Sequence, residues 1–531
     1  MSHRYLLTHS IEEWAERAPE REAVRFAGKG LSYRALHERA GRLSRALRAQ
    51  GVKRGDRVGI FMNKSLESAT AVYGILGAGA AYVPLDPFAP PSRLAFVLRD
   101  CGIRHLVSRA EKAETVAEVL AEAAQIECLL GTEAPDEWKG RVVSWEEIDS
   151  APIQPAPDPG TIEQDLAYIL YTSGSTGVPK GIMHTHRSGL SFAEWAAAEY
   201  GLRSEDRLSN HAPLHFDLST FDFFASHLAG ATTVIIPESV TKFPASLSKL
   251  MADERISVWY SVPYALMQLL AHGNLPGRDL TALRWVLFAG EPFPTKHLRE
   301  VMACVPQARF SNLYGPTETN VCTYYHVSAL PEDNDGPIPI GRPCTNVEAL
   351  ILDEAEQPVR EGEVGELLIR GPITMRGYWG QEEKTRQGFY RRDRLPGMEE
   401  KYYRTGDLVQ QQPDGNLNFL GRKDRQVKTR GFRVELDEIE VALLAHPAVD
   451  EAAVYAVADG QGSNLIEGAV TAKPGMAVTP EELAVHLSER LPPYAIPTSL
   501  EITRDFPRTS TGKIDRRTLQ SQALPQAHRP L

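Results

Sequence analysis

A surplus of positive charge is missing from this chain. Its 58 lysines and arginines are outnumbered by 69 acidic residues, for a net charge of −11. General nucleic-acid and membrane-surface binders carry a basic face, so neither kind of partner is expected. Cysteine is scarce: Cys101, Cys128, Cys304, Cys322 and Cys344 are scattered, without a Cys-x-x-Cys pair or matching histidines. That argues against a disulfide framework and a structural zinc site, and fits free thiols in a reducing cytoplasm. The first ten residues hold no signal-peptide apolar region. The longest apolar run, Ala69–Val83, is too short for a membrane span and reads as a buried helix leading into the Pro84–Pro91 loop. Internal repeats and low-complexity tracts are absent. A cytoplasmic protein is expected.

Of the 531 residues, 42% are hydrophobic and 24% charged, as in ordinary globular proteins, and the length calls for more than one core. Helical stretches (Ser10–Arg17, Ser32–Ala49, Glu67–Gly77) alternate with short apolar runs (Arg57–Phe61, Ala81–Pro84), the signature of a layered α/β domain. Trp285–Phe288, Ala349–Leu352 and Gly365–Arg370 are further strand candidates. The proline-rich stretch Ala151–Gly160 reads as an exposed connector within this domain. From Arg425 the pattern becomes a compact α+β unit, with helices at Glu435–Ala445 and Thr479–Arg490 and strands at Ala452–Val457 and Leu465–Val470.

The richest motif is Tyr171-Thr-Ser-Gly-Ser-Thr-Gly-Val-Pro-Lys-Gly181. Gly174 and Gly177 let backbone approach a polyanion. Thr172, Ser173, Ser175 and Thr176 add hydroxyl donors, and Lys180 adds a charge. It is not the common P-loop, because Lys180 stands three positions after Gly177 and a glycine follows it; the dinucleotide template fails as well. The apolar run Leu166–Leu170 reads as a buried strand and Ser188–Tyr200 as a helix, with a mobile loop between them.

Four further stretches follow in order: Asn312-Leu-Tyr-Gly-Pro-Thr-Glu-Thr319, Tyr403-Arg-Thr-Gly-Asp-Leu408, Gly421–Arg433 and Pro507–Asp515. In this order and spacing the chain resembles, from about Leu7 to Leu519, the adenylation domains of nonribosomal peptide synthetases, within the superfamily of acyl-CoA synthetases and luciferases. The resemblance implies a large N-terminal α/β domain, residues 1–423, and a small mobile α+β C-terminal domain, residues 424–531, hinged at Asp424. For most of the basic run Arg422–Arg433, a solvated hairpin is the competing reading.

Activating a carboxylic acid with ATP brings one anion against another, so the site needs cations at the α-phosphate and donors on the β- and γ-phosphates. By resemblance, the Thr172–Lys180 loop holds the β,γ-phosphates, Glu318 helps hold Mg²⁺ and Thr317 donates to the α-phosphate. Tyr314 suits stacking on adenine, Asn312 its amino edge, and acceptor-only Asp407 the ribose hydroxyls. Gly290, Glu291, Gly315 and Arg422 join the expected nucleotide site. Lys513, in a Gly-Lys turn, would bridge the substrate carboxylate and α-phosphate. In such enzymes the small domain then rotates and a phosphopantetheine thiol enters. No carrier-protein serine motif follows Lys513, so a free-standing enzyme loading a separate carrier protein is expected.

Asp217, in His215–Phe221, falls where amino-acid activators keep a carboxylate for the α-ammonium, whose unpaired burial costs several kcal/mol, roughly. The competing reading is a helix-capping or surface aspartate. The family's pocket positions carry over to Asp217, Leu218, Phe221, Tyr260, Leu287, Ala289, Leu313, Val321, Cys322 and Lys513, a lining that apart from Asp217, Lys513 and the Tyr260 phenol is apolar, and shallow enough to suit a small aliphatic side chain. This set closely resembles that of free-standing prolyl-carrier-protein ligases of pyrrole-forming pathways, which points to L-proline. The residues themselves leave valine, alanine and pipecolate open, since a methylene is worth only ~1–3 kcal/mol in such a pocket. An acyl-CoA or aryl-CoA synthetase and a catalytically dead adenylate binder are the competing functions. Asp217 argues against the first, and Lys513, Glu318 and Asp407 together against the second.

Overall fold

The structure is a computed structural model that describes all residues except 1–3, 155–157, 175, 329, 331–335, 396, 460–462, 509–513 and 524–531. Two large, mostly parallel sheets form the N-terminal part. The first has nine strands among the described residues, with Arg309–Tyr314, Trp285–Ala289, Val258–Ser261, Arg207–Asn210, Thr232–Ile235 and Glu22–Phe26 running parallel in that spatial order. The second has eight, in which Leu166–Thr172, Ala81–Pro84, Arg57–Phe61 and His105–Ser108 lie side by side. Their strands are buried along most of their length, as parallel strands covered by helices must be. The largest apolar cluster joins both sheets, and the helix His186–Glu199 packs between them through Phe192 and Ala196.

A five-stranded antiparallel sheet, including Val364–Arg370 and Met398–Gln411, follows. Its last strand, Leu417–Arg422, leads into the hairpin Gln426–Thr429 and Phe432–Glu435. Beyond it, Val434, Ile439, Leu443, Val454, Ile466, Val470, Leu483 and Leu487 build a separate core around a three-stranded sheet. The molecule is thus mixed α/β, with a large N-terminal part and a small C-terminal one.

Helix starts follow their caps. Ser32 accepts from the Ala35 amide at the head of Tyr33–Ala49, and Ser65 and Thr185 form reciprocal capping boxes. Two expectations need correcting. The apolar run Ala69–Val83 is not one helix: the helix ends at Gly77, Gly79 turns with φ +80°, and Ala81–Pro84 continues as a strand. After Leu166–Thr172 the chain also does not pass directly into a helix. It returns as the strand Lys180–Thr185, antiparallel to the first, and only then starts the helix at His186. Among the described residues, no helix is long and apolar enough to cross a membrane.

Candidate functional site

The glycine-rich loop is therefore the tip of a β-hairpin. Gly177 donates to the Gly174 carbonyl at 2.9 Å, and a side chain at Gly174 would strike the Val178 carbonyl oxygen at 2.0 Å. Gly177 has φ +79° and packs against Val441 of the C-terminal helix Leu436–Leu444. Among the described residues the enclosed Thr172 hydroxyl has no hydrogen-bond partner, while the Ser173 hydroxyl donates to the Arg433 carbonyl at 3.1 Å. Thr176 is exposed, and Ser175 lies outside the described residues.

Lys180 begins the return strand and points inward, with its ammonium 3.2 Å from Glu318 and 5.0 Å from the centre of the Tyr378 ring. Burial pulls its pKa down to about 8. Glu318 is wholly buried. Besides Lys180 it meets Arg433 Nη1 at 2.7 Å and accepts from the Tyr378 hydroxyl at 2.9 Å. Burial alone would raise this carboxyl, but the Arg433 guanidinium and the Lys180 ammonium outweigh it and hold it well below the usual carboxylate range. Among the described residues no cluster of three or more metal-ligating side chains occurs. With the Lys180 and Arg433 cations and the Tyr378 hydroxyl already on its two oxygens, Glu318 in this orientation is a poor ligand for Mg²⁺. The donor set present does not fit the metal.

The nucleotide candidates converge from several elements. Asn312 donates its amide to the Pro339 carbonyl at 2.8 Å, which leaves its own oxygen as the acceptor. The Tyr314 hydroxyl donates to Asp407, whose other oxygen accepts from Arg422 at 2.6 Å. The same guanidinium grips Asp424 with two bonds, at 2.6 and 2.7 Å. A side chain at Gly315 would collide with the Asn320 carbonyl oxygen at 1.7 Å, so the loop after Tyr314 closes tightly there. Gly290 has φ +100°, and Glu291 spends its carboxylate on the Tyr264 and Gly431 amides at 2.9 and 3.1 Å. It thereby ties down the turn of the C-terminal hairpin.

Beside these groups lies a cleft of about 70 Å³. Of the expected substrate positions, Asp217, Leu218, Tyr260, Ala289 and Val321 line it, with Thr317 and Asn320. Phe221, Leu287, Leu313 and Cys322 are buried outside that lining, and Phe221 meets the Tyr260 ring edge-on at 5.2 Å. Lys513 lies outside the described residues. Asp217 stands at the head of the short turn Leu218–Thr220, but its side chain makes no capping bond to it. Enclosure raises its pKa against the opposing hydrogen bond to Thr317.

Residues 11–379 match the AMP-binding enzyme family, and residues 438–513 match the AMP-binding enzyme C-terminal domain. The chain belongs to the AMP-binding enzyme family. Two curated relatives are named L-proline--[L-prolyl-carrier protein] ligase. One, from Pseudomonas fluorescens, is 38% identical over 97% of this chain and 98% of its own length. The other, from Streptomyces coelicolor, is 37% identical over 94% of each chain. An amide bond synthetase from Marinactinospora thermotolerans superposes with a TM-score of 0.84 at 25% identity, over 97% of this chain and 99% of its own.

In this AMP-binding enzyme the C-terminal hairpin contributes residues to which the sequence reading gave no role. Lys428, Gln426, Gly431 and Arg433 all line the cleft, and the Lys428 ammonium lies 6.0 Å from the centre of the Tyr314 ring. Phe432 meets Phe216, the neighbour of Asp217, at 5.2 Å, and stacks on Tyr494 at 4.0 Å. The solvated-hairpin reading fails for Arg433, which is only 15% exposed, and for Arg422, at 12%. Their signal was present, since an uninterrupted solvated hairpin has no need of Gly431 and Phe432 between its charges.

Proposed function

We propose that this enzyme activates an amino acid with ATP to the aminoacyl adenylate, releases pyrophosphate, and passes the aminoacyl group to the phosphopantetheine thiol of a carrier protein. The observation that carries the reading is Asp217, a carboxylate held beside Thr317 in a cleft that Leu218, Tyr260, Ala289 and Val321 line together with Asp407, Arg422, Lys428 and Arg433. An α-ammonium is a group that such a desolvated carboxylate selects. L-Proline is the proposed substrate: its secondary ammonium has two N–H donors for Asp217, its ring is compact, and two relatives bear the name of proline ligases.

The remaining roles are proposed with it. The free Thr172 hydroxyl and the backbone around Gly174 and Gly177 would receive the β,γ-phosphates. Thr317 would donate to the α-phosphate, Tyr314 and the Asn312 oxygen would meet the adenine, and Asp407 would hold the ribose. Glu318 would serve a divalent cation only with Arg433 withdrawn. Lys513 is proposed to bridge the reacting anions when the small domain turns about Asp424, the proposed boundary between residues 1–423 and 424–531. Amino-acid-dependent ATP–pyrophosphate exchange over the common amino acids, pipecolate and simple aliphatic acids tests the reading. Exchange with proline and none with aliphatic acids is expected, and exchange with acids lacking an amino group would overturn it.

A further inference from the structure

Behind the apolar end of the cleft lies a run of buried polar groups that an apolar wall does not require. Phe221 meets two phenol rings edge-on: that of Tyr260, which lines the cleft, at 5.2 Å, and that of Tyr200, which does not, at 6.0 Å. Tyr200 is buried, and its hydroxyl lies 3.2 Å from Ser311 Oγ. Ser311 Oγ is in turn 3.1 Å from His326 Nδ1, and His326 Nε2 is 3.0 Å from Glu199. Local structure explains the assembly. Glu199 ends the helix His186–Glu199 and Tyr200 caps it. Ser311 and His326 stand opposite each other on the paired strands Arg309–Tyr314 and Thr323–Val327, so their side chains share a face. Leu313, an expected pocket position, follows two residues later on that same face. The run leads from water to the core, since the His326 side chain is 39% exposed while none of Ser311 is.

A buried hydroxyl is costly to leave unpaired, so the ring that carries it stays where its partner stands. A phenylalanine in place of Tyr200 could slide across Phe221; a tyrosine tied to Ser311 cannot. We propose that Tyr200, tied through Ser311 and His326 to Glu199, is a positioning residue that determines substrate size. By holding Phe221 against Tyr260 it fixes the depth of the pocket, and with it the preference for a compact side chain. None of these four residues belongs to the expected lining, so the lining alone does not contain the selectivity. The inference rests on the use of this cleft for an amino acid proposed above.

Anchoring can be told apart from stability. Ser311→Ala strands the Tyr200 hydroxyl, whereas Tyr200→Phe with Ser311→Ala removes both partners, which costs the fold far less. His326 can then turn to water. Proline, leucine and phenylalanine are compared by kcat/KM in ATP–pyrophosphate exchange, with thermal midpoints taken on the same preparations. In Ser311→Ala the preference for proline over the two larger amino acids should fall by about tenfold, the lower end of what a methylene of pocket shape is worth. The loss should appear in KM for proline with kcat and the KM for ATP unchanged, as when a binding contact is removed. The double variant should regain its thermal midpoint and not its preference. Glu199→Gln, which keeps an acceptor for His326, should retain both. An unaltered preference in Ser311→Ala overturns the inference, and so does a double variant whose preference returns with its stability. If instead the amino-acid reading were wrong, the parent would exchange with no amino acid. Crystals of the double variant would then decide: a Phe221 ring displaced from Tyr260 sustains the inference, and an unmoved ring overturns it.

Discussion

Asp217 and Glu318 are both carboxylates in one site, and their surroundings drive them in opposite directions. Enclosure pushes Asp217 up, while Arg433 and Lys180 hold Glu318 down. Asp217→Ala should lower kcat/KM for amino-acid-dependent exchange by roughly 10²–10³-fold, the cost of leaving a buried ammonium unpaired. An unchanged rate with proline would remove Asp217 from the recognition of the amino group. For Glu318 the folded-state pKa lies below the ordinary 4.5, so its stabilisation is complete above that pH and is lost as pH falls below it. Urea midpoints measured from neutral pH into the acid range should therefore fall more steeply for the parent than for Glu318→Gln. At neutral pH that variant should lose about 3–5 kcal/mol, as when one partner of a buried pair is removed. Asp217 could be read from the sequence because its chemistry is local to a short motif. The burial of Arg433 has a signal in Gly431 and Phe432, but its pairing with Glu318 has none, because the two stand 115 residues apart and meet only across the contact between the two parts.

The elements themselves were largely legible from hydrophobic period and caps. The helix Tyr33–Ala49, the strand Arg57–Phe61 and the C-terminal helices fall within a few residues of where the sequence puts them. The strand Lys180–Thr185 escaped because Lys-Gly-Ile-Met-His-Thr lacks the branched, alternating composition of a strand, and its place comes from pairing with Leu166–Thr172. That hairpin sets the next expectation. A side chain at Gly177 would approach Val441 Cγ1 at 2.8 Å and would have to adopt φ +79°. Gly177→Val should therefore disfavour the present contact with helix Leu436–Leu444 and slow thiol transfer more than exchange, measured on one preparation. Equal slowing of both would mean that the loop's backbone, not the contact, is what the glycine serves.

At the scale of the molecule, the two parts have separate cores and meet through polar links, among them Arg93 with Glu438, Glu318 with Arg433, Glu291 with the Gly431 amide and Ser92 with the Glu489 carbonyl, and through local apolar contacts of Phe216 with Phe432 and Gly177 with Val441. A joint of this kind can separate and re-form as a unit, unlike a broad apolar seam. Lys513→Ala should abolish most adenylate formation and spare transfer from supplied prolyl-adenylate, and an equal fall in both would contradict division of labour between orientations. Asp424→Pro, by fixing φ, should preserve one half-reaction and impair the other, and full activity in both would place the pivot elsewhere.

The line from Tyr314 through Asp407 and Arg422 to Asp424 gives this joint a further property. A ribose taking up Asp407 would compete with Arg422, whose guanidinium would keep Asp424 and the Thr405 carbonyl. The torsional stiffness of the proposed pivot then depends on whether a nucleoside is seated. An enzyme holding its adenylate would swing on a looser bearing than one standing idle.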